Sequence, residues 1–485
     1  MSVLDAFAPL FTPRSVAVLG ASPGGGGLGN AFIRRLRAFG YDGAIWPVHP
    51  SAAEVEGLPA FRSLGETPGV VDYAIVAIGA ERVPDAIAAA RGRVRFAQVM
   101  SSGFAEVEGG AALQDRLLAA AAAAGVRILG PNCLGTHSPR GGLTFFDGVD
   151  PTPGSIGILS QSGGLSLDIL RRGRVRGLGL SALVTMGNCA DLGTADLLDY
   201  LLADPATRVI GLYLEDARDA RRIFDLLRAT RGAKPVVLLK GGQTREGQRA
   251  AASHTGSLAS DHRLWMAMAR QAGVAMTDTL DGFLDALLAF QLLAPRADSP
   301  LRRVALFGNG GGTSVLATDA FVRHGFDVPP FGGEAQAALG RLKVPPGSSL
   351  ANPIDVPGNA LRLEEGRVAE GILRAVYAHA APDAVVMHLN MPVLLGYAEV
   401  DLLGSLMASA LRVRAEHRGG GHFVLVLRSD GDAATEELRR TYRTRALAAG
   451  IPVFDELPAA AAALAALRAH EAFLAREALA RDAPD

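Results

Sequence analysis

The chain has 485 residues, of which 49% are hydrophobic, 20% charged and 6% aromatic, a length that exceeds one hydrophobic core and suggests about three domains. Its formal net charge of −1 gives no electrostatic basis for binding nucleic acid or an anionic membrane surface. Cys133 and Cys189 form neither a disulfide framework nor a metal-type spacing. The first residues lack the basic and apolar regions of a signal peptide. Apolar stretches such as Leu117 to Ala124 fall short of the roughly 20 residues of a membrane span. A soluble, cytoplasmic protein is expected.

Short apolar runs alternate with helical stretches, the pattern of α/β layers with mostly parallel sheets. A first series of strands is expected at Ser15–Leu19, Ala44–Val48, Tyr73–Ile78, Phe96–Met100 and Arg127–Leu129. A Gly- and Pro-rich stretch from Pro139 to Gly154 follows. The second series is Ser155–Leu159, Ser181–Thr185, Val209–Leu214 and Val236–Leu239, and it ends at a Pro-rich break from Leu293 to Pro300. The third is Arg303–Phe307, Ala384–Leu389, Phe423–Leu427 and Pro452–Phe454, with an Ala-rich helix from Pro458 onward. Three α/β domains in tandem are expected, over residues 8–140, 151–293 and 300–470.

The first strand runs into Gly20-Ala21-Ser22 and a glycine-rich turn that continues through Gly29 to a helix expected near Ala31. Glycines let backbone amides approach a pyrophosphate, and the helix N-terminus favours its charge. The strict G-x-G-x-x-G spacing is absent, and the second strand ends in Pro47-Val-His49-Pro instead of an acidic residue. Plain NAD binding is therefore disfavoured, and a nucleotide-like ligand is expected. Ile78 ends, and Ser102, Pro131 and Asn132 follow, other strands of the same series, where open α/β sheets bind ligands.

Two later strands lead into helix starts rich in small residues: Ser160-Gln-Ser162-Gly163-Gly164 and Gly308-Asn309-Gly310-Gly311-Gly312-Thr-Ser. Free backbone amides and the positive end of the dipole make each a candidate anion site. His254 lies in Ala252-Ser-His-Thr-Gly-Ser-Leu-Ala259, a frame of small residues read as a light loop. A carboxylate accepting from one imidazole nitrogen frees the other to attack. Glu215 or Asp216, after the strand Val209–Leu214, could supply it. His324, His417 and His470 read as surface residues, and His262 as a bystander eight positions beyond His254 on a helix.

These landmarks, with Pro47-Val-His-Pro, Ser102-Gly-Phe-Ala-Glu, Gly130-Pro-Asn-Cys-Leu-Gly, Met186-Gly-Asn and Asn352-Pro-Ile-Asp-Val, resemble the NDP-forming acyl-CoA synthetases, the superfamily of succinyl-CoA synthetase. The resemblance runs from about Ser15 to about Leu467. It implies a CoA-binding Rossmann-like domain followed by two flavodoxin-like ligase domains. It implies that Gly20, Ala21, Ser22, Gly29, Pro47, His49, Ile78, Ser102, Pro131 and Asn132 serve coenzyme A, and that Gly187, Asn188 and Asn309 serve the acyl substrate. It further implies that His254 is transiently phosphorylated and positioned by Glu215. Ser160, Ser162, Gly163 and Gly164, with Gly310, Gly311 and Gly312, would then open the helices that receive the phosphohistidine. No metal site is expected in this chain, since Mg²⁺ would accompany ATP or ADP.

The sequence departs from the family at His49, where Asn is usual, at Gly308–Ser314, whose usual form is Thr-Asn-Ala-Gly-Gly-Pro-Gly, and at Cys189, a position often charged and read here as packing. No segment of the ~200 residues that an ATP-grasp module would need is spare. The expectation is therefore an α-type subunit that works with a separate ATP-grasp subunit, in a heterotetramer. The alternatives are a non-catalytic CoA or acyl-CoA sensor and, on the first domain alone, an NAD-dependent dehydrogenase. The absence of a basic residue from 186–188 and 308–313 disfavours a dicarboxylate substrate.

Overall fold

The structure, a computed structural model, describes the backbone of residues 1–216, 218–255, 261–397, 401–417 and 419–482, and their side chains except at 252–255, 365 and 482. It divides into two compact units, Met1–Phe283 and Leu284–Asp485. The division falls inside the helix Leu280–Leu292, before the Pro-rich break.

In the first unit, β1 (Ser15–Leu19) and β2 (Ala44–Val48) are followed by a small hairpin, β3 (Glu54–Val55) with β4 (Leu58–Pro59), and then by β5 (Val71–Val76), β6 (Val94–Val99) and β7 (Arg127–Leu129). Apart from the hairpin, these form a parallel sheet in the order β2-β1-β5-β6-β7. All five residues of β1 and all six of β5 are buried, as expected of parallel strands covered on both faces. Leu19 pairs with Val48 on one side and Val76 on the other.

The second sheet contains β8 (Gly135–His137), β9 (Ile156–Ser160), β10 (Leu180–Thr185), β11 (Val209–Leu214), β12 (Val236–Lys240) and β13 (Ala275–Thr277). Its order is β13-β12-β11-β9-β10-β8, with β8 antiparallel to β10. Three residues, Gly-Thr-His, are too short and polar to read as a strand, yet β8 carries the chain from the first sheet into the second. The loop after β10 runs beside β7: Ala190 N donates to Gly130 O at 2.9 Å and Leu192 N to Ile128 O at 3.2 Å. Phe11 and Tyr200 stack with ring centroids 3.9 Å apart. These contacts tie the two sheets into one unit.

The second unit holds β14 (Val304–Gly308), β15 (Ile354–Asp355), β16 (Ala384–Asn390), β17 (His422–Arg428) and β18 (Val453–Phe454), parallel in the order β15-β14-β16-β17-β18. Val385, Met387 and Leu389 enter a core with Ile372, Leu406 and Met407, and His388 takes the other face by the two-residue strand period. The Ala-rich tail is the helix Leu457–Asp482. Within it His470 is buried, edge-on to Phe290 with centroids 5.6 Å apart, contrary to the expected surface position. His417 is half-buried on Tyr377 at 4.9 Å, and His324 is exposed.

Without β8 and the hairpin, every sheet has the order second-first-third-fourth-fifth. The chain leaves the first strand toward one side and returns to the other, opening a crevice between first and third strands at their carboxyl ends. Those ends are β1 and β5, β9 and β11, β14 and β16. Among the described residues, no helix is long and apolar enough to cross a membrane.

Candidate active site

The crevice between β1 and β5 contains a cavity of about 470 Å³, lined by Gly20, Ala21, Ser22, His49 and Ile78, with Arg62 and Arg82 among its other walls. Its size falls in the range of small-molecule sites, roughly 300–1,000 Å³. Leu19, Val48, Leu64, Ala86 and Ala89 supply apolar lining, and the two exposed guanidinium groups suit phosphate. This combination fits coenzyme A. Gly20 has φ +89°, and a Cβ there would lie 2.0 Å from Ala77 O. A Cβ on Gly29 would lie 2.3 Å from Ala21 N, so Gly29 serves helix–turn packing outside the cavity.

Buried Asn30 holds the turn shut. Its Oδ1 accepts from Ser22 N at 2.9 Å and Gly27 N at 3.3 Å, and its Nδ2 donates to Ser22 O at 2.8 Å and Glu56 Oε1 at 2.7 Å. The helix accordingly starts at Leu28, before the expected Ala31. Pro47 is buried in β2, and neither it, Ser102, Pro131 nor Asn132 lines the cavity. Asn132 N instead donates to Ser101 O at 3.0 Å, while Pro131 O accepts from Asn188 N at 3.0 Å.

At the second crevice, β9 ends in Ser160 and Ser162 caps the helix Gly163–Arg176, accepting from Leu165 N at 3.2 Å. A Cβ on Gly164 would meet nothing within 4 Å, so that part of the first turn faces open space. Across the crevice, Glu215 is buried. Its backbone amide donates to Gln161 Oε1 at 2.6 Å, its carbonyl accepts from Lys240 Nζ at 2.7 Å, and its Oε1 accepts from Tyr213 at 3.0 Å. Gln161 also accepts from Asp216 N at 3.0 Å and donates to Asp216 O at 2.7 Å. Burial pulls the Lys240 ammonium below the usual lysine range, against the opposing pull of Asp216 and Glu215.

A cavity of about 310 Å³ joins Gln161, Gly187, Asn188, Cys189, Arg218 and Arg222 with several aspartates. Arg222 pairs with Asp196. Burial pushes the Cys189 thiol up to about 12, which suits packing and not reactivity. The basic groups beside Gly187 and Asn188 come from residues 218 and 222, distant in sequence from the stretch 186–188.

The helix Arg245–Thr255 starts with Gly247 N donating to Thr244 Oγ1 at 3.0 Å. The backbone at His254 is thus helical and not loop-like, whereas its side chain, and residues 256–260 of the expected loop, lie outside the described residues. His262 opens a separate helix, His262–Ala272.

At the third crevice, Asn309 Oδ1 accepts from Asn390 N at 2.8 Å and its Nδ2 donates to Asn390 O at 3.4 Å. Gly310 N donates to Asp355 Oδ1 at 2.6 Å. The helix Gly311–Arg323 begins there, with open space beside Gly312. Arg428 Nη1 donates to Thr313 Oγ1 at 3.0 Å, bringing a cation to this helix start. His388 is wholly buried, and neither ring nitrogen has a partner among the described residues. Burial, with Arg428 nearby, pushes its imidazole down to about 4. No group of three or more metal-ligating side chains occurs among the described residues.

Residues 14–139 match the CoA binding domain family, and residues 153–290 the succinyl-CoA ligase like flavodoxin domain family. The alpha subunit of ADP-forming acetate–CoA ligase I from Pyrococcus furiosus is 33% identical over 466 residues, which cover 94% of this chain and 96% of that one. The chain belongs to the ADP-forming acetate–CoA ligase family. ADP-forming acetate–CoA ligase I from Archaeoglobus fulgidus is 37% identical over 72% of this chain, but the match covers only 50% of that protein. The dinucleotide-forming acetyl-coenzyme A synthetase 1 of Ca. Korarchaeum cryptofilum, solved with phosphate and ADP, superposes with a TM-score of 0.82 at 27% identity, covering 98% of this chain and 99% of that one.

For this ligase-family chain, the structure brings Gly20, Ala21, Ser22, His49 and Ile78 together at one cavity and Gly187 and Asn188 at another. It gives Gly29, Pro131, Asn132 and Asn309 backbone-organising contacts. Sequence inspection missed Arg62, Arg82, Gln161, Lys240, Arg218 and Arg428. Gln161 stands inside the Ser160-Gln-Ser162 stretch, and Lys240 directly follows the expected strand Val236–Leu239. Arg62, Arg82 and Arg218 carry no local signal, whereas Arg428 directly follows the expected strand Phe423–Leu427.

Proposed function

We propose that this chain is the α-type subunit of an ADP-forming acyl-CoA synthetase, an acid–thiol ligase that interconverts acyl-CoA, ADP and phosphate with a carboxylic acid, CoA and ATP. A phosphate oxygen attacks the thioester carbon, the C–S bond breaks and CoA leaves an acyl phosphate. A nitrogen of His254 takes the phosphoryl group as the P–O bond to the acyl oxygen breaks, releasing the carboxylate. The phosphohistidine then passes the group to ADP. Every step is reversible.

Glu215 supports this reading most directly. It is a buried carboxylate at the second crevice, its backbone clamped by Gln161 and Lys240, across from the open start of the helix Gly163–Arg176. A carboxylate so fixed can hold one imidazole nitrogen and leave the other nucleophilic. Ser160, Ser162, Gly163 and Gly164 form one phosphate station, and Gly310, Gly311 and Gly312 a second. Gly20, Ala21, Ser22, His49 and Ile78 hold CoA, with Arg62 and Arg82 on its phosphates. Gly187 and Asn188 lie beside the acyl group. Nucleotide and Mg²⁺ belong to a separate ATP-grasp subunit, and the cytoplasm supplies both.

The test is incubation of the full chain and its nucleotide-binding subunit with Mg²⁺ and ATP labelled at the γ-phosphate. Acid-labile label on the wild type, lost in His254→Ala, is expected. CoA binding with no label on the wild type would replace the ligase by a CoA sensor.

A further inference from the structure

Glu106 lies in the turn between β6 and the helix Ala111–Ala124, and its two oxygens serve different loops. Oε1 accepts from the amides of Gly103 at 2.5 Å and Phe104 at 3.2 Å. Oε2 accepts from Asn188 Nδ2 at 2.5 Å, and that nitrogen also donates to Gln114 Oε1 at 3.3 Å. Asn188 N reaches Pro131 O, and Asn132 N reaches Ser101 O. A Cβ on Gly187 would lie 2.2 Å from Pro131 O, so these backbones are in close approach. Three loops, after β6, β7 and β10, therefore meet around one carboxylate. Partial burial opposes its ionisation, but the bonds from Asn188, Gly103 and Phe104 outweigh burial and hold the carboxyl below the usual range.

We propose that Glu106 is a positioning residue for thioester chemistry: it fixes the register of the loops at 101–104 and 130–132, which leave β6 and β7 of the sheet that carries the proposed CoA cavity, against the acyl-side loop at 187–188. The inference rests on the synthetase reading above. In the step concerned, the CoA sulfur bonds to the acyl carbon of the acyl phosphate, the C–O bond to phosphate breaks, and the thiol proton ends on the released phosphate. Misplacing reacting atoms by about 1 Å costs such a step on the order of 100-fold. A charge-assisted bond is about twice as strong as a neutral one, which suits Glu106 to holding that distance.

The full chain with its nucleotide-binding subunit separates two half-reactions: labelling from ATP, and acetyl transfer from acetyl phosphate to CoA. Glu106→Gln should slow acetyl transfer by roughly 10- to 100-fold, mainly in kcat, and leave labelling unchanged. Asn188→Asp, which sets two carboxylates together, should be worse. Combining it with Glu106→Gln should regain part of the transfer rate lost in Asn188→Asp alone, because the new amide can donate to the new carboxylate. If Glu106→Gln fails to fold, Glu106→Asp, too short to span both loops, should show the same split. Wild-type transfer in Glu106→Gln, or equal losses in both half-reactions, would overturn the proposal alone. Absence of both half-reactions from the wild type would defeat the synthetase reading and this inference with it.

Discussion

Gln161 Oε1 accepts the backbone amide of Glu215 at 2.6 Å, so a side chain after β9 fixes the chain after β11. The third sheet repeats the arrangement with Asn309 and Asn390. In both, an amide side chain satisfies backbone groups at the switch point, where the strands diverge and ladder bonding stops. Crevice walls held this way stay separated yet rigid, as preorganised anion stations require.

Gln161→Ala should therefore damage chemistry more than fold. Each backbone group that loses its partner costs about 1–3 kcal/mol if it stays dry. Urea unfolding should register a loss of that order, whereas the rate of His254 labelling should fall much further. A labelling rate that tracks stability alone would count against Gln161 as a positioning group.

Gly308 and His388 are register partners, and a Cβ on Gly308 would fall 2.0 Å from the His388 ring. Gly308→Ala should destabilise the chain by about 1–3 kcal/mol through overpacking. The same change in a His388→Ala background should cost much less. A double-mutant cycle in denaturant measures the difference, and additive losses would contradict the contact.

Arg82→Ala and Arg62→Ala should each raise KM for CoA roughly tenfold, the worth of one charge-assisted hydrogen bond, with kcat little changed, as expected of a phosphate contact kept equally in ground and transition states. The effect should shrink with added salt. An altered kcat at constant KM would move these arginines out of the CoA site.

His137 and His388 are both buried, and burial pushes each down to about 4 from an ordinary 6.5. Between those values the unfolded chain binds protons that the folded chain refuses, so stability falls as pH drops from 6.5 to 4 and this contribution levels off below. Each group gives the unit that holds it, the first for His137 and the second for His388, a slope of up to about 1.4 kcal/mol per pH unit. Unfolding midpoints measured across this window should show it, and His388→Leu should flatten the profile.

The α/β class is legible in the chain alone, because buried parallel strands read as near-continuous apolar runs such as Val16–Leu19 and Val209–Leu214. So is the family, because small residues after strands and the frame of His254 are local patterns. Features that depend on residues far apart in the chain come from packing. β8 is three residues of weak preference and forms only because the edge of β10 awaits it. The arginines at 62, 82, 218 and 428 acquire meaning only from the crevices to which strand order brings them. Glu106 and Asn188, 82 positions apart, meet because the loop after β10 lies along β7, and no local propensity encodes that contact.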